Sequence, residues 1–145
     1  MADYLSHYRA DPFHVTDETA YNELIKRFGG DDVEFWTEKD QNGATLHGIC
    51  GTGPYYFYEK DMHMAPWGSD EDDDSCDAYD NIAGFIRELQ PLLPDGEVFS
   101  FTESGHEKLR YISGYCYVAN NKQSKYMNLY QFKEETIHEL QNNER

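Results

Sequence analysis

One amphipathic helical pattern followed by three short strand-like runs occurs twice in this chain, once on each side of a strongly acidic stretch. Thr16 is placed to cap the first helix, Asp17 and Glu18 suit the positive end of its dipole, and Tyr21, Leu24, Ile25 and Phe28 recur at three- and four-residue spacing up to Gly29-Gly30. Val33 to Glu38, Ala44 to Cys50 and Tyr55 to Tyr58 follow as β-branched or aromatic runs, parted by Asp40-Gln41-Asn42-Gly43 and Gly51-Thr52-Gly53-Pro54. They predict a three-stranded antiparallel meander. Beyond the acidic stretch, Ile82, Phe85, Ile86, Leu89 and Leu93 mark a second helix, and Asp95-Gly96 turns the chain into runs at Val98 to Glu103, Tyr111 to Ala119 and Lys125 to Met127. Asn128, with Gln131 three residues on, caps a final helix striped by Leu129, Phe132, Thr136, Ile137 and Leu140.

The expected fold is therefore α+β: an antiparallel sheet of about six strands with three helices, the α-β-β-β order occurring twice before a C-terminal helix. Residues 1–3 and those up to Val15 carry no helical pattern and read as a strand-poor lead-in. The 145 residues suit one domain that can bury about two-thirds of its unfolded surface without a metal or disulfide. One sheet and two small lobes both satisfy the order of elements. Along the run at Tyr111 the tyrosines at 111, 115 and 117 share one face and Ile112, Cys116 and Val118 the other. The aliphatic face is expected in the core, with the tyrosines either covered by helices or left as a surface suited to protein contact.

Charge speaks to partners. The formal net charge is -16, and from Glu59 to Asp80 nine carboxylates stand against one base, Lys60, so this stretch alone supplies -8. At its centre run Asp70, Glu71, Asp72, Asp73 and Asp74, with Asp77 and Asp80 behind them. The stretch from about residue 59 to 77 is expected to be a loop. Twenty-two aromatic residues argue against a disordered acidic chain. Direct binding to nucleic acid or to an anionic membrane is disfavoured, because the bases Lys108, Arg110, Lys122 and Lys125 are diluted by Glu97, Glu103 and Glu107. The favoured partner is a basic protein, or a nucleic-acid-binding site on another protein.

Few motifs carry chemistry. Cys50, Cys76 and Cys116 are odd in number and lack zinc spacing, which fits reduced thiols in a cytoplasm; there is no signal-peptide run at the start and no stretch approaching about 18 apolar residues. Asp70, Asp72 and Asp74 match the first ligand positions of an EF-hand loop, but Ser75 stands where glycine is needed and Asn81 where a bidentate glutamate is needed. Met62-His63-Met64 offers soft ligands without a second cluster, and the glycine turn at Gly51 lacks the lysine of a phosphate loop. His47 and Cys50, three apart on a strand, must face opposite ways. Cys116 near His106 is the remaining nucleophile candidate, and no motif surrounds it. Catalytic residues, cofactor and metal are accordingly expected to be none.

Ala2-Asp3-Tyr4-Leu5-Ser6 with Phe13-His14-Val15-Thr16-Asp17, and Gly105 to Tyr115, resemble stretches in an uncharacterised family of small acidic proteins of bacterial mobile genetic elements. The resemblance covers about a third of the chain and brings no catalytic residues with it. It implies a setting in which acidic antirestriction and anti-CRISPR proteins act by imitating DNA; to those proteins the likeness is one of charge and size.

The expected function is a non-enzymatic DNA mimic that occupies a nucleic-acid-binding site on a host defence protein. Asp70 to Asp74 and Asp77, together with Asp31, Asp32 and Glu34 of a second acidic stretch that continues through Glu38 and Asp40, would supply the field; Tyr79 would give apolar contact. An immunity protein or antitoxin plugging a basic nuclease toxin fits the same charge, and a small enzyme is a third reading. A two-fold homodimer would extend such an acidic ridge.

Overall fold

The computed structural model describes residues 4–29, 32–53, 58–59, 82–107 and 111–143. The elements are β1 (Tyr4–Phe13), α1 (Glu18–Arg27), β2 (Phe28–Gly29), β3 (Glu34–Lys39), β4 (Thr45–Gly53), β5 (Tyr58–Glu59), α2 (Ile82–Leu89) running into a 3-10 turn at Gln90–Leu92, β6 (Phe99–Glu107), β7 (Tyr111–Ala119), β8 (Ser124–Asn128) and α3 (Leu129–Asn143). Six strands make a single antiparallel sheet in the order β3-β4-β1-β6-β7-β8. The α+β class, the six strands and the three helices stand as the sequence predicts.

Two strands differ from that expectation. The lead-in is not strand-poor: it forms β1, which pairs with β4 on one side and β6 on the other and so joins the two halves of the sheet. The third run of the first half does not complete a meander, because its described part, β5, pairs with β2 in a separate two-stranded sheet. Its remaining residues, 55–57, lie outside the described residues.

Period-two alternation assigns the faces. On β1, Ser6, Tyr8 and Ala10 are buried while Leu5, His7 and Arg9 are exposed. Between Ala10 and Phe13 the register slips, for Ala10 sits opposite Ile49 and Phe13 opposite His47. The extra residue falls in the segment holding Pro12, which has no N–H to give to the ladder. Without that slip Phe13 would point outward; with it the ring is fully buried, edge-on to Phe99 at 5.0 Å and to Tyr21 at 5.7 Å. Burial of one such side chain contributes about 1.5–3 kcal/mol.

Helices α1 and α2 cover this inner face through Tyr21 and Leu24, and through Ile82, Phe85, Ile86 and Leu89. Phe28 meets Phe85 at 5.3 Å, and the Arg27 to Glu88 ion pair at 2.8 Å ties the two helices at their surface. The helix cap is Asp17 rather than Thr16: the Asp17 carboxylate accepts from Ala20 N–H at 3.0 Å, while Thr16 N–H donates to Leu92 carbonyl at 2.8 Å. His47, 3% exposed, binds Glu18 at 2.7 Å and so fixes the start of α1 to the sheet.

The inner face of β7 is the tyrosine face, which corrects the expectation that Ile112, Cys116 and Val118 point into the core. Register decides it: Phe101 lies opposite Tyr117 and Phe99 opposite Ala119, so the tyrosines continue the Phe99 and Phe101 surface. Tyr115 and Tyr117 pack against the core, whereas Ile112 is 69% and Val118 42% exposed. A tyrosine can bury its ring and keep its hydroxyl at the rim, so hydropathy alone misassigns the face.

Candidate interaction surface

Of the residues predicted to meet a partner, Asp31, Asp70, Glu71, Asp72, Asp73, Asp74, Asp77 and Tyr79 lie outside the described residues. Asp32 and Glu34 fall at one border of the sheet. Asp32 accepts a hydrogen bond from Thr52 Oγ1 at 2.9 Å, and the Cys50 thiol donates to Glu34 at 3.9 Å. Both acceptors are exposed, so each carboxylate keeps free lone pairs toward solvent.

Among the described residues, strand β3 is an edge of the sheet. Glu34, Trp36 and Glu38 lie opposite Cys50, Gly48 and Leu46 on its outward side, while Phe35 packs inward against the core. Glu34 and Glu38, four residues apart, stand about 13–14 Å from one another along the strand with Trp36 midway between them. The arrangement is thus two carboxylates flanking an indole, held on a regular strand. Trp36 was not singled out from the sequence; the alternation Glu34-Phe35-Trp36 with one aromatic in and the next out is the signal that finds it. Its position is fixed by Gly48, since a Cβ there would overlap the indole ring.

The acidic stretch is not uniform. Asp40, expected to extend the negative field, is committed to structure: its carboxylate accepts from Asn42 N–H at 2.8 Å and Ala44 N–H at 2.9 Å, shaping the turn in which Gly43 takes φ 82°. The same carboxylate binds His14 Nε2 at 2.8 Å, and Glu97 holds Nδ1 at 3.1 Å and accepts His14 N–H at 2.9 Å. The hydrogen bond to Asp40, with Glu97 adding to it against some desolvation, raises the His14 pKa above its usual value. Asp40 is lowered in turn, mainly by that bond. This network clamps the β3–β4 turn to the entry of β6.

The outward face of the sheet continues from the acidic edge, polar through Arg9 and Thr102 and apolar at its far end, where Ile112, Val118 and Met127 are exposed. Register carries it from Glu34 through Cys50, Arg9, Thr102 and Cys116 to Met127. His106 lies opposite Ile112 and Cys116 opposite Thr102, four residues apart along β7 or about 13 Å. That separation rules out direct proton exchange between this cysteine and histidine. His47 and Cys50 face opposite ways as expected: His47 is in the core, whereas Cys50 is on the outer face beside Glu34. Among the described residues no three histidine, cysteine or acidic side chains are grouped to hold a metal ion, and no helix is long and apolar enough to cross a membrane.

A second surface, apolar, lies at the β7–β8 end of the same outward face. Asn128 caps α3 through Oδ1, which accepts Gln131 N–H at 2.7 Å. All fifteen residues of this helix escape full burial. Leu129 lies against Gly114 on the outward face, its Cδ1 within 3.0 Å of where a Cβ would stand.

No protein family, curated protein or solved structure matches this chain.

Proposed function

We propose that the protein is a non-enzymatic acidic binder that acts in the cytoplasm by occupying the nucleic-acid-binding site of a basic partner, as an antirestriction or anti-CRISPR inhibitor does. The observation that carries this reading is the edge strand on which Glu34 and Glu38 flank Trp36, with Asp32 beside them, on a chain whose net charge is -16. Carboxylates on a fixed strand meet a basic groove without the ordering cost of a flexible acidic loop. Their contact releases counterions from the groove much as a phosphate backbone does. The tract at Asp70 to Asp74 would add to the same field, and Trp36 would supply apolar contact at its centre. The setting implied by the resemblance, mobile elements that meet host nucleases, suits such an activity.

The test is competition. A labelled duplex bound to a basic DNA-binding nuclease is titrated with this protein, and its release is followed by anisotropy. The protein's own affinity for the nuclease, measured with no duplex present, should weaken steeply between about 50 and about 200 mM salt. Neutralising Glu34 and Glu38 to glutamine should flatten the slope, and neutralising Asp70 to Asp74 should flatten it further. Binding that is indifferent to salt, or that survives both sets of substitutions unchanged, would overturn the reading.

A further inference from the structure

We propose that α3 and the adjoining outward side of β7 and β8 form a two-fold interface with a second copy of this chain. Helix α3 is amphipathic, and among the described residues nothing buries its stripe: Leu129 is 52%, Phe132 55%, Ile137 44% and Leu140 61% exposed. A lone helix of about 12–15 residues is only marginally stable in water, so an apolar stripe of this kind needs a surface against it.

The stripe is continuous with the sheet. Leu129 sits over Gly114, between Ile112 and Cys116 on the same face of β7, and Met127 lies opposite Cys116 on β8. With Ile112, Val118, Met127 and Tyr130 the patch comprises eight large side chains, each roughly half exposed. At on the order of 100 Å² apiece they offer about 800 Å² per copy, one side of a standard protein interface.

The pattern selects a second copy as the occupant. An isologous contact requires a surface complementary to itself, and α3 laid antiparallel on its twin has that property. With the two-fold axis between Glu134 and Glu135, Leu129 faces Leu140 and Phe132 faces Ile137, each twice. At 100° per residue, Glu134 and Glu135 themselves lie on the helix side turned away from the stripe. Lys133, whose ammonium rests over the Tyr130 ring at 5.5 Å, falls opposite Thr136, and Glu139 falls opposite Tyr130. No like charges meet across the seam. The interface is therefore mainly apolar, with Lys133 the one ammonium inside the stripe's arc, between Leu140 and Ile137, and added salt tightens it by screening two chains of charge -16 from each other. Binding to a basic partner responds to salt in the opposite sense, so the two associations are separable by that variable alone.

Sedimentation equilibrium of the full chain, from well below to well above about 1 μM, should show the mass rising from the 16.9 kDa of the monomer to twice that value. Leu140→Glu and Ile137→Glu should each raise the dissociation constant at least about tenfold while the urea midpoint of the sheet core stays put, because both side chains are exposed in the monomer. A monomer at every concentration would overturn the proposal. That outcome includes the cases in which another segment of the same chain or an unrelated protein covers the stripe. A dimer whose dissociation constant neither substitution moves would also overturn it, since its interface would lie elsewhere.

Discussion

Replacing Gly48 with alanine puts a methyl group where the Trp36 indole lies. The three atoms nearest to that Cβ position all belong to Trp36, and Gly48 has no positive φ that would forbid a side chain. Moving a packed ring aside costs about 1–3 kcal/mol. Against this, alanine in an extended strand gains about 0.4–1 kcal/mol through the smaller entropy of the unfolded chain. The sum is a net loss of about 1–2 kcal/mol for Gly48→Ala alone. In a Trp36→Ala background the obstacle is gone and only the gain is left, so the same substitution becomes mildly stabilising. The sign reversal corresponds to a coupling of about 1–3 kcal/mol, the range for side chains in contact. Urea unfolding of the four proteins, followed by far-UV circular dichroism so that loss of the indole does not alter the probe, measures it. If Gly48→Ala costs the same in both backgrounds, the indole does not rest on Gly48 and the outward presentation of Trp36 at the acidic edge falls with it.

The His14 clamp predicts a pH dependence. Its folded pKa is raised above 6.5, so the stability it confers is fully present below about that pH and is lost as pH rises through the folded value; His14→Gln should abolish this loss between mildly acidic and alkaline urea titrations. Asp40, lowered by the same bond, confers stability above its unfolded value near 3.8 that disappears on acidification through the folded value, and Asp40→Asn should remove that acid limb. Asn128→Ala deletes the α3 cap, a loss of about 1 kcal/mol to the helix; at concentrations where the chain is monomeric and α3 has no buried residue, helical ellipticity should fall while the urea midpoint of the β-sheet core stays put. Asp17→Ala removes the equivalent cap from α1, whose Tyr21 and Leu24 are core, so there about 1 kcal/mol should appear in the midpoint itself.

Both caps are visible in sequence to within a residue, because an Asx side chain before an apolar period leaves little choice. The helices follow for the same reason: Tyr21, Leu24 and Phe28, or Ile82, Phe85, Ile86 and Leu89, declare a face without any tertiary information. Strand β1 is hidden because its inward positions, Ser6, Tyr8 and Ala10, include two small residues and its outward ones, Leu5 among them, are not uniformly polar. Its partners on both sides supply the burial that the residues themselves do not announce. The tyrosine face of β7 is misread on the same ground, since register against Phe101 and not hydropathy orients it. At the acidic edge, Asp32 and Glu34 are legible as charge, but Trp36 between Glu34 and Glu38 needs the direction of Phe35, which is a fact of packing. That Asp40 is spent on His14 could not be read from spacing, because the two come together only when β1 and β3 share a sheet.

The place of β1 bears on how the chain is made. Its Asp11 receives a hydrogen bond from Ser100, 89 residues later, at 2.7 Å. At about 5–20 residues per second of synthesis, β1 waits on the order of 4–18 s before β6 exists to flank it. During that interval one of its edges is bare and capable of pairing with strands of neighbouring nascent chains. Outward-facing His7, Arg9 and Asp11 put ionisable side chains along that strand and make it a poor template for such pairing until its partner emerges.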